Sequence, residues 1–378
     1  MGGSMSFIDY FGEIPDPRKD INVKHNLLDV IFLTITAVIS GCEGWKDIYD
    51  FGRVKLSWLR QYREFKNGIP VDDTIARIIS ALVPEEFTRC FIDWVNELRR
   101  FEGKEQIAID GKTLRHSFTD GDRMTALHSV TVWSKSNGLV LGQSRSKGKK
   151  NENKTVMELL DLIEIKDAII TMDAMNTQRQ IVEKIQQKQA DYVLSVKDNQ
   201  KSLHEEIKDY FLYMKKKHAD IVSKSTHIEV DAGHGRIEQR IYRQLLVNEL
   251  ITESPKWAGI RTVIEVERRR EIKDKIEEET QYYISSLTIN LPQIADTIRG
   301  HWEVENKAHY VLDVTYKEDA SRIRRENAAE NIATARRFAL NLARLHPKKD
   351  SMRGKLKQAM WSDDFRHQII FGHEVSKV

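Results

Sequence analysis

Only two cysteines, Cys42 and Cys90, occur in 378 residues, and both fall in apolar helical stretches. So few thiols exclude a disulfide framework and a cysteine-built zinc site, and they suit a reducing compartment. No apolar run reaches the roughly 18–20 residues that a membrane helix needs. An excess of one charge is missing too: 60 Lys and Arg stand against 57 Asp and Glu, for a net +3. Overall charge therefore argues for no polyanionic partner, and the question passes to where basic residues cluster. A P-loop is absent, so no nucleotide cofactor is expected. There are no internal repeats and no low-complexity segments. Residues 1–4, Met-Gly-Gly-Ser before Met5, read as an appended leader and are left out of the fold. These absences lead us to expect a soluble, cytoplasmic protein.

What is present is a 40% hydrophobic content, enough for two or three domains with real cores. Residues 5–100 read as helical. Asn26–Ser40 is apolar nearly all round and stops at Gly41, the pattern of a buried helix. Trp45–Phe65 is amphipathic and carries Arg53, Lys55, Arg60 and Arg63. Asp73 can cap a short helix at Thr74–Leu82, and Pro84–Arg100 has Phe87, Phe91, Trp94 and Leu98 at helical spacing. This segment is an accessory helical bundle or a helix-turn-helix that touches DNA.

The period then changes. Gln106–Asp110 reads as a strand ended by Gly111-Lys112, and Ser129–Ser134 and Leu139–Ser144 flank Asn137-Gly138, a hairpin signal. A helix at Thr155–Ile165 precedes the wholly apolar strand Ala168–Met172, a helix at Thr177–Gln189 and the strand Tyr192–Val196. The order predicts an α/β fold, a mixed sheet flanked by helices. Residues 101–222 are its first part, 223–290 an inserted β-subdomain, 291–350 its second part and 351–378 a basic, partly ordered tail.

Three acids fall at informative places. Asp110 ends the first strand and Asp173 follows a buried strand, where ligands bind in open α/β sheets. Within Leu291–Arg325, Ile294, Ile298, Trp302, His309 and Leu312 form one helical stripe, with Glu305 on it and Glu303 on roughly the opposite side. A carboxylate on a packed face needs a partner, whether a metal ion, a buried cation or water. Three carboxylates without a cysteine suit Mg²⁺ or Mn²⁺, and two such ions can drive phosphodiester displacement.

The segments IAIDGK around Asp110, TMDAM around Asp173 and HWEVENKAHYVLDVTYKEDASRIR around Glu305 resemble the DDE transposases of bacterial insertion sequences, in particular the H-repeat-associated group. YVLSVKDNQ, GHGRIEQR and the N-terminal KHNLLDVIFLTITAVISG extend the resemblance over nearly the whole chain. It implies a ribonuclease H-like catalytic core with a β-insertion, and Asp110, Asp173 and Glu305 as its metal-binding triad. It further implies two-metal-ion hydrolysis and strand transfer at element ends, double-stranded DNA as partner, a homodimer or higher multimer, and a nucleoid-associated place in a bacterial cytoplasm. Related enzymes carry a Tyr-x2-Arg-x3-Glu-x6-Lys signature; here Ile298, His301 and Leu312 stand at the Tyr, Arg and Lys positions. DNA contacts are expected instead from Lys112, Arg145, Lys147, Lys149, Lys150, Lys197, His234, Arg236, His301, Lys307 and His309. A domesticated nuclease of the same fold and a non-catalytic DNA-binding regulator are the rival readings.

Overall fold

The computed structural model describes residues 7–19, 23–99, 103–114, 116–117, 126–146, 148, 151–233, 236–272 and 275–372. The chain opens with α1 (Phe7–Phe11), α2 (Leu27–Ile39), α3 (Trp45–Leu59), α4 (Asp72–Ala81) and α5 (Pro84–Leu98). Strands β1 (Gln106–Thr113), β2 (His128–Ser134) and β3 (Leu139–Ser146) follow, then α6 (Glu152–Leu162), β4 (Ile169–Met172), α7 (Arg179–Gln187) and β5 (Asp191–Val196). Helices α8 (Lys201–Lys217) and α9 (Ala219–Lys224) lead into β6 (Thr226–Gly233), β7 (Arg236–Leu246), β8 (Thr262–Ile272) and β9 (Lys275–Ser285). The last elements are α10 (Leu291–His301), a π-helical segment Val304–His309, α11 (Tyr310–Val314), α12 (Ala328–Leu345), α13 (Met352–Trp361) and α14 (Asp363–Phe371).

The strands form one nine-stranded mixed sheet in the order β3-β2-β1-β4-β5-β9-β8-β7-β6. β1, β4 and β5 run parallel, and the other pairings are antiparallel. Ile107, Ala108 and Ile109 of β1 and every residue of β4 are buried, as strands covered on both faces require. The Asn137-Gly138 hairpin forms as expected, with Gly138 at φ +65°, a conformation that costs glycine no Cβ clash. One expectation changes here. β1 does not stop at Asp110 but continues to Thr113, because β2 pairs with it that far. The strands of the β-rich stretch 223–290 join the core sheet: β9 pairs with β5 through Val193↔Ser285 and Leu194↔Ile284, so β6–β9 prolong it. The hydrogen-bonding edge of β5 would otherwise stand open.

One face of the sheet is covered by α10, whose Ile294, Ala295 and Ile298 pack on Ile169, Val193, Tyr242 and Ile264. The other face and the β3 edge carry the larger core. α2 is buried on nearly every side, as its all-round apolar pattern predicts, and Asn26 caps it by accepting from Leu28 and Asp29 N–H. α12 packs against α2, α4, α5 and β3. Trp94 stacks on Phe338 with centroids 4.1 Å apart, and the Asn341 amide bonds both the N–H and the C=O of Val140 on the edge strand, at 2.9 and 2.8 Å. The N-terminal helices and α12 thus share one core. The basic segment expected as a partly ordered tail is helical through Phe371. Two of its cations are structural: Lys355 Nζ donates to the C=O of Ala343 and His346 at the end of α12, both at 2.8 Å, and buried Arg366 lies 4.2 Å over the Trp58 ring.

Candidate active site

The parallel ladder between β1 and β4 ends at Ile109↔Met172, while β1 and β2 stay paired to Thr113↔His128. Beyond Ile109, one edge of β1 is therefore open. Asp110 sits on that open stretch, and Asp173 is the first residue after β4. They line a cavity of about 320 Å³, with Lys197 beyond the end of β5 and with His301, Trp302 and Glu305 from the facing helix.

That helix is where 3.6-residue stepping fails. α10 starts as expected, with Asn290 accepting from the Gln293 N–H and Pro292 in the first turn. After His301 the backbone widens into the π-helical segment Val304–His309, which shifts every later side chain around the axis. His309 and Leu312 are buried as expected, Val304 and Ala308 join them, and Trp302, expected there too, is 57% exposed at the cavity mouth. Glu305 is also at the surface, with its side chain 57% exposed. His309 is buried between the acids: its Nδ1 lies 2.9 Å from Glu305 Oε2 and 3.5 Å from Asp110 Oδ2. Ligand atoms of Asp110, Glu305 and His309 all fall within 4.8 Å of one another. Asp173 lines the same cavity outside that close group. Glu303 turns elsewhere and pairs with Lys307 at 2.9 Å.

Burial pushes the Asp110 carboxyl up to about 6; His309 opposes the rise, and Asp173, Glu305 and Glu152 add to it. The hydrogen bond from His309 holds Glu305 below its ordinary value. Burial lowers His301, against the pull of Asp173, and its Nδ1 is 3.0 Å from Thr171 Oγ1. Crowded negative charge at the mouth of a cavity fits a hard divalent cation, which would relieve it. A consequence concerns pH. An Asp with a raised folded-state value keeps its proton, between roughly pH 4 and 6, where the unfolded chain has already lost it. Metal-free stability therefore falls as pH rises through that window, by at most about 3 kcal/mol from this group. Thermal melts in EDTA are expected to show a smaller loss between pH 4 and 6.5 for Asp110→Asn than for the wild type; equal losses would refute the assignment.

Residues 102–342 match the family described as Transposase DDE domain, and residues 8–95 the one described as DDE_Tnp_1-associated. The chain belongs to the DDE transposase family. Among relatives with transposase names, YncI of Escherichia coli O157:H7 is 43% identical over 346 residues, which cover 90% of this chain and 87% of that one. The H repeat-associated YhhI of Escherichia coli strain K12 is 39% identical over 375 residues, 98% of either chain. A solved piggyBac transposase synaptic complex with hairpin DNA matches with a TM-score of 0.47 at 11% identity, covering 97% of this chain and 78% of that chain, a likeness too loose to weigh.

The remaining residues expected to touch DNA fare unevenly in this DDE transposase. Lys197 and His301 line the carboxylate cavity, and Arg145 is exposed on the edge strand β3. Arg236 is exposed in a second cavity alongside, on the far side of Trp302, and lies 3.5 Å from Glu238. Lys307 is exposed but paired with Glu303. Lys112 does not face outward: it is packed against Asp313 and lies 3.8 Å from Glu318 and 4.0 Å from Asp319. His309 is likewise withdrawn from any DNA surface and serves the carboxylates. Lys147, Lys149, Lys150 and His234 lie outside the described residues. At the signature positions, Ile298 and His301 line the cavity and Leu312 is core. Sequence reading missed Glu152, buried beneath Gly111 next to Asp110. Its surroundings, Asn151-Glu152-Asn153-Lys154, look like a solvated helix start, so no periodicity exposes it.

Proposed function

We propose that this transposase cuts and joins DNA at the mouth of the crevice between β1 and β4, with Asp110, Asp173 and Glu305 holding Mg²⁺ or Mn²⁺. The convergence of Asp110, Glu305 and His309 ligand atoms within 4.8 Å carries the reading. Two further features support a ribonuclease H-like core: the order β3-β2-β1-β4-β5 with a parallel centre, and the placement of Asp110 on β1 and of Asp173 at the end of β4 beside it. Bound cations would supply the positive charge that activates the attacking oxygen and steadies the leaving one. The protein's own groups do the positioning. Asp110 and Glu305 present oxygens from opposite walls. His309, too buried to meet substrate, directs Glu305 by hydrogen bonding to it. Lys197 and His301 face the cavity where a phosphodiester would lie, and Arg236 and Arg145 extend a path for the strand beyond. Double-stranded element ends and target DNA are the substrates, two ends are brought together by a multimer, and residues 5–100 act as accessory helices.

A labelled-end assay in Mn²⁺ separates the alternatives. Wild-type protein is expected to give both nicked and joined products. Nicks without joined product would make it a nuclease of this fold, and neither product from any end would leave a DNA-binding regulator.

A further inference from the structure

Behind the open edge of β1 lies a buried polar chain that the reading above does not use. Glu152, the first residue of α6, is only 2% exposed. One carboxylate oxygen accepts from His128 Nε2 at 2.6 Å, and the other accepts from Asn176 Nδ2 at 2.5 Å. His128 continues the chain through Nδ1, 2.9 Å from Thr113 Oγ1. Because both Glu152 oxygens accept, a His128 proton belongs on Nε2, and Nδ1 carries the hydrogen bond shared with the Thr113 hydroxyl. Both Glu152 oxygens and both His128 nitrogens are engaged along this line, Asn176 Oδ1 is left without a partner, and His128 and Asn176 are fully buried with Glu152.

The two ends of the chain matter. Thr113 is the last residue of β1, three positions after Asp110. Asn176 closes the 3-10 turn Ala174–Asn176 that begins directly after Asp173. The β1–β4 ladder ends at Ile109↔Met172, so Asp110 and Asp173 each stand one residue beyond the last pair, where the sheet holds Asp110 from one side only. The Glu152 carboxylate also packs against the residue between: a Cβ on Gly111 would lie 2.5 Å from Glu152 Oε2. The glycine after Asp110 is thus required by the carboxylate beneath it. On its other side the turn is held by Asn199, whose Nδ2 donates to Ala174 O at 2.7 Å.

We propose that Glu152 is a positioning residue that sets the separation of Asp110 and Asp173 by tying the end of β1, through His128, to the turn after Asp173, through Asn176. This rests on the reading of Asp110 and Asp173 as cation ligands. Groups that orient ligands in this way carry large effects on metal affinity although they touch no metal.

The experiment is a Mn²⁺ titration of the full chain without DNA, with free Mn²⁺ read by electron paramagnetic resonance. Glu152→Ala and Asn176→Ala are expected to weaken Mn²⁺ binding roughly ten- to a hundredfold. Glu152→Gln is expected to stay within about threefold, because its oxygen still accepts from His128 and Asn176 can turn its own oxygen toward the new N–H. Wild-type Mn²⁺ binding in both alanine variants overturns the proposal, as does a Glu152→Gln loss as large as that of Glu152→Ala. Should Glu152→Ala fail to fold, Asn176→Ala, which removes a single amide, decides alone. Asp110→Asn separates the two levels. If it binds Mn²⁺ like the wild type, the cation reading falls. If it loses Mn²⁺ while the Glu152 and Asn176 variants keep it, only the positioning role falls.

Discussion

Asp110→Asn is expected to reduce Mn²⁺-dependent cleavage of supercoiled DNA at least about a thousandfold, a barrier increase of about 4 kcal/mol. Asn has nearly the same shape, so the protein stays folded and the loss falls on the oxygen donor. Glu305→Gln is expected to match it, since Glu305 is the acid that shares His309 with Asp110. Glu303→Gln supplies the contrast. Its partner is Lys307, and it lies outside the carboxylate cavity, so cleavage should change less than about threefold, the range of a lost surface ion pair. Loss in Glu303→Gln with full activity in Glu305→Gln would show that the π-helical segment presents the wrong acid and would sink the assignment of the third ligand.

The second large effect is on stability. Arg337 in α12 and Glu318 before it are both completely buried, with Nη1 and Oε1 2.6 Å apart. Burial pushes the Glu318 carboxyl up, and Arg337, Lys112 and Arg336 outweigh that, holding it below its usual range. Removing one member leaves the other charge in the core without its partner, so Arg337→Ala is expected to cost about 3–5 kcal/mol, read as a fall in the urea midpoint. The double change Glu318→Leu with Arg337→Met should recover most of that loss, because it removes both charges together. A single variant as stable as the wild type would show that the pair is not what holds α12 to the segment carrying Asp313 and Glu318. The same cluster explains Lys112. It stands two residues after Asp110 but is committed to Asp313, Glu318 and Asp319, and so it shapes the wall behind the site.

Much of this was legible in the residues themselves. The apolar pattern of α2, the strands around Asp110 and Asp173, the Asn137-Gly138 hairpin and the capped start of α10 are local matters, decided by side-chain period and backbone preference over a few residues. Family membership was legible too, because the motifs around the three acids are short and contiguous. Tertiary structure decided what depends on partners far along the chain. The attachment of β6–β9 to the core sheet needs β5 and β9, and the fate of Lys112 needs acids some 200 residues away. The burial of Glu152 depends on the absence of a Cβ at Gly111. The clearest case is the helix that carries Glu305. Counting at 3.6 residues per turn puts Trp302, Glu305 and His309 on the packed face, yet across one widened turn Trp302 and Glu305 are exposed and only His309 is buried, between Glu305 and Asp110. Sequence determined which acids were available; a single π turn, whose Val304 and Ala308 pack into the core, decided how Glu305 meets Asp110.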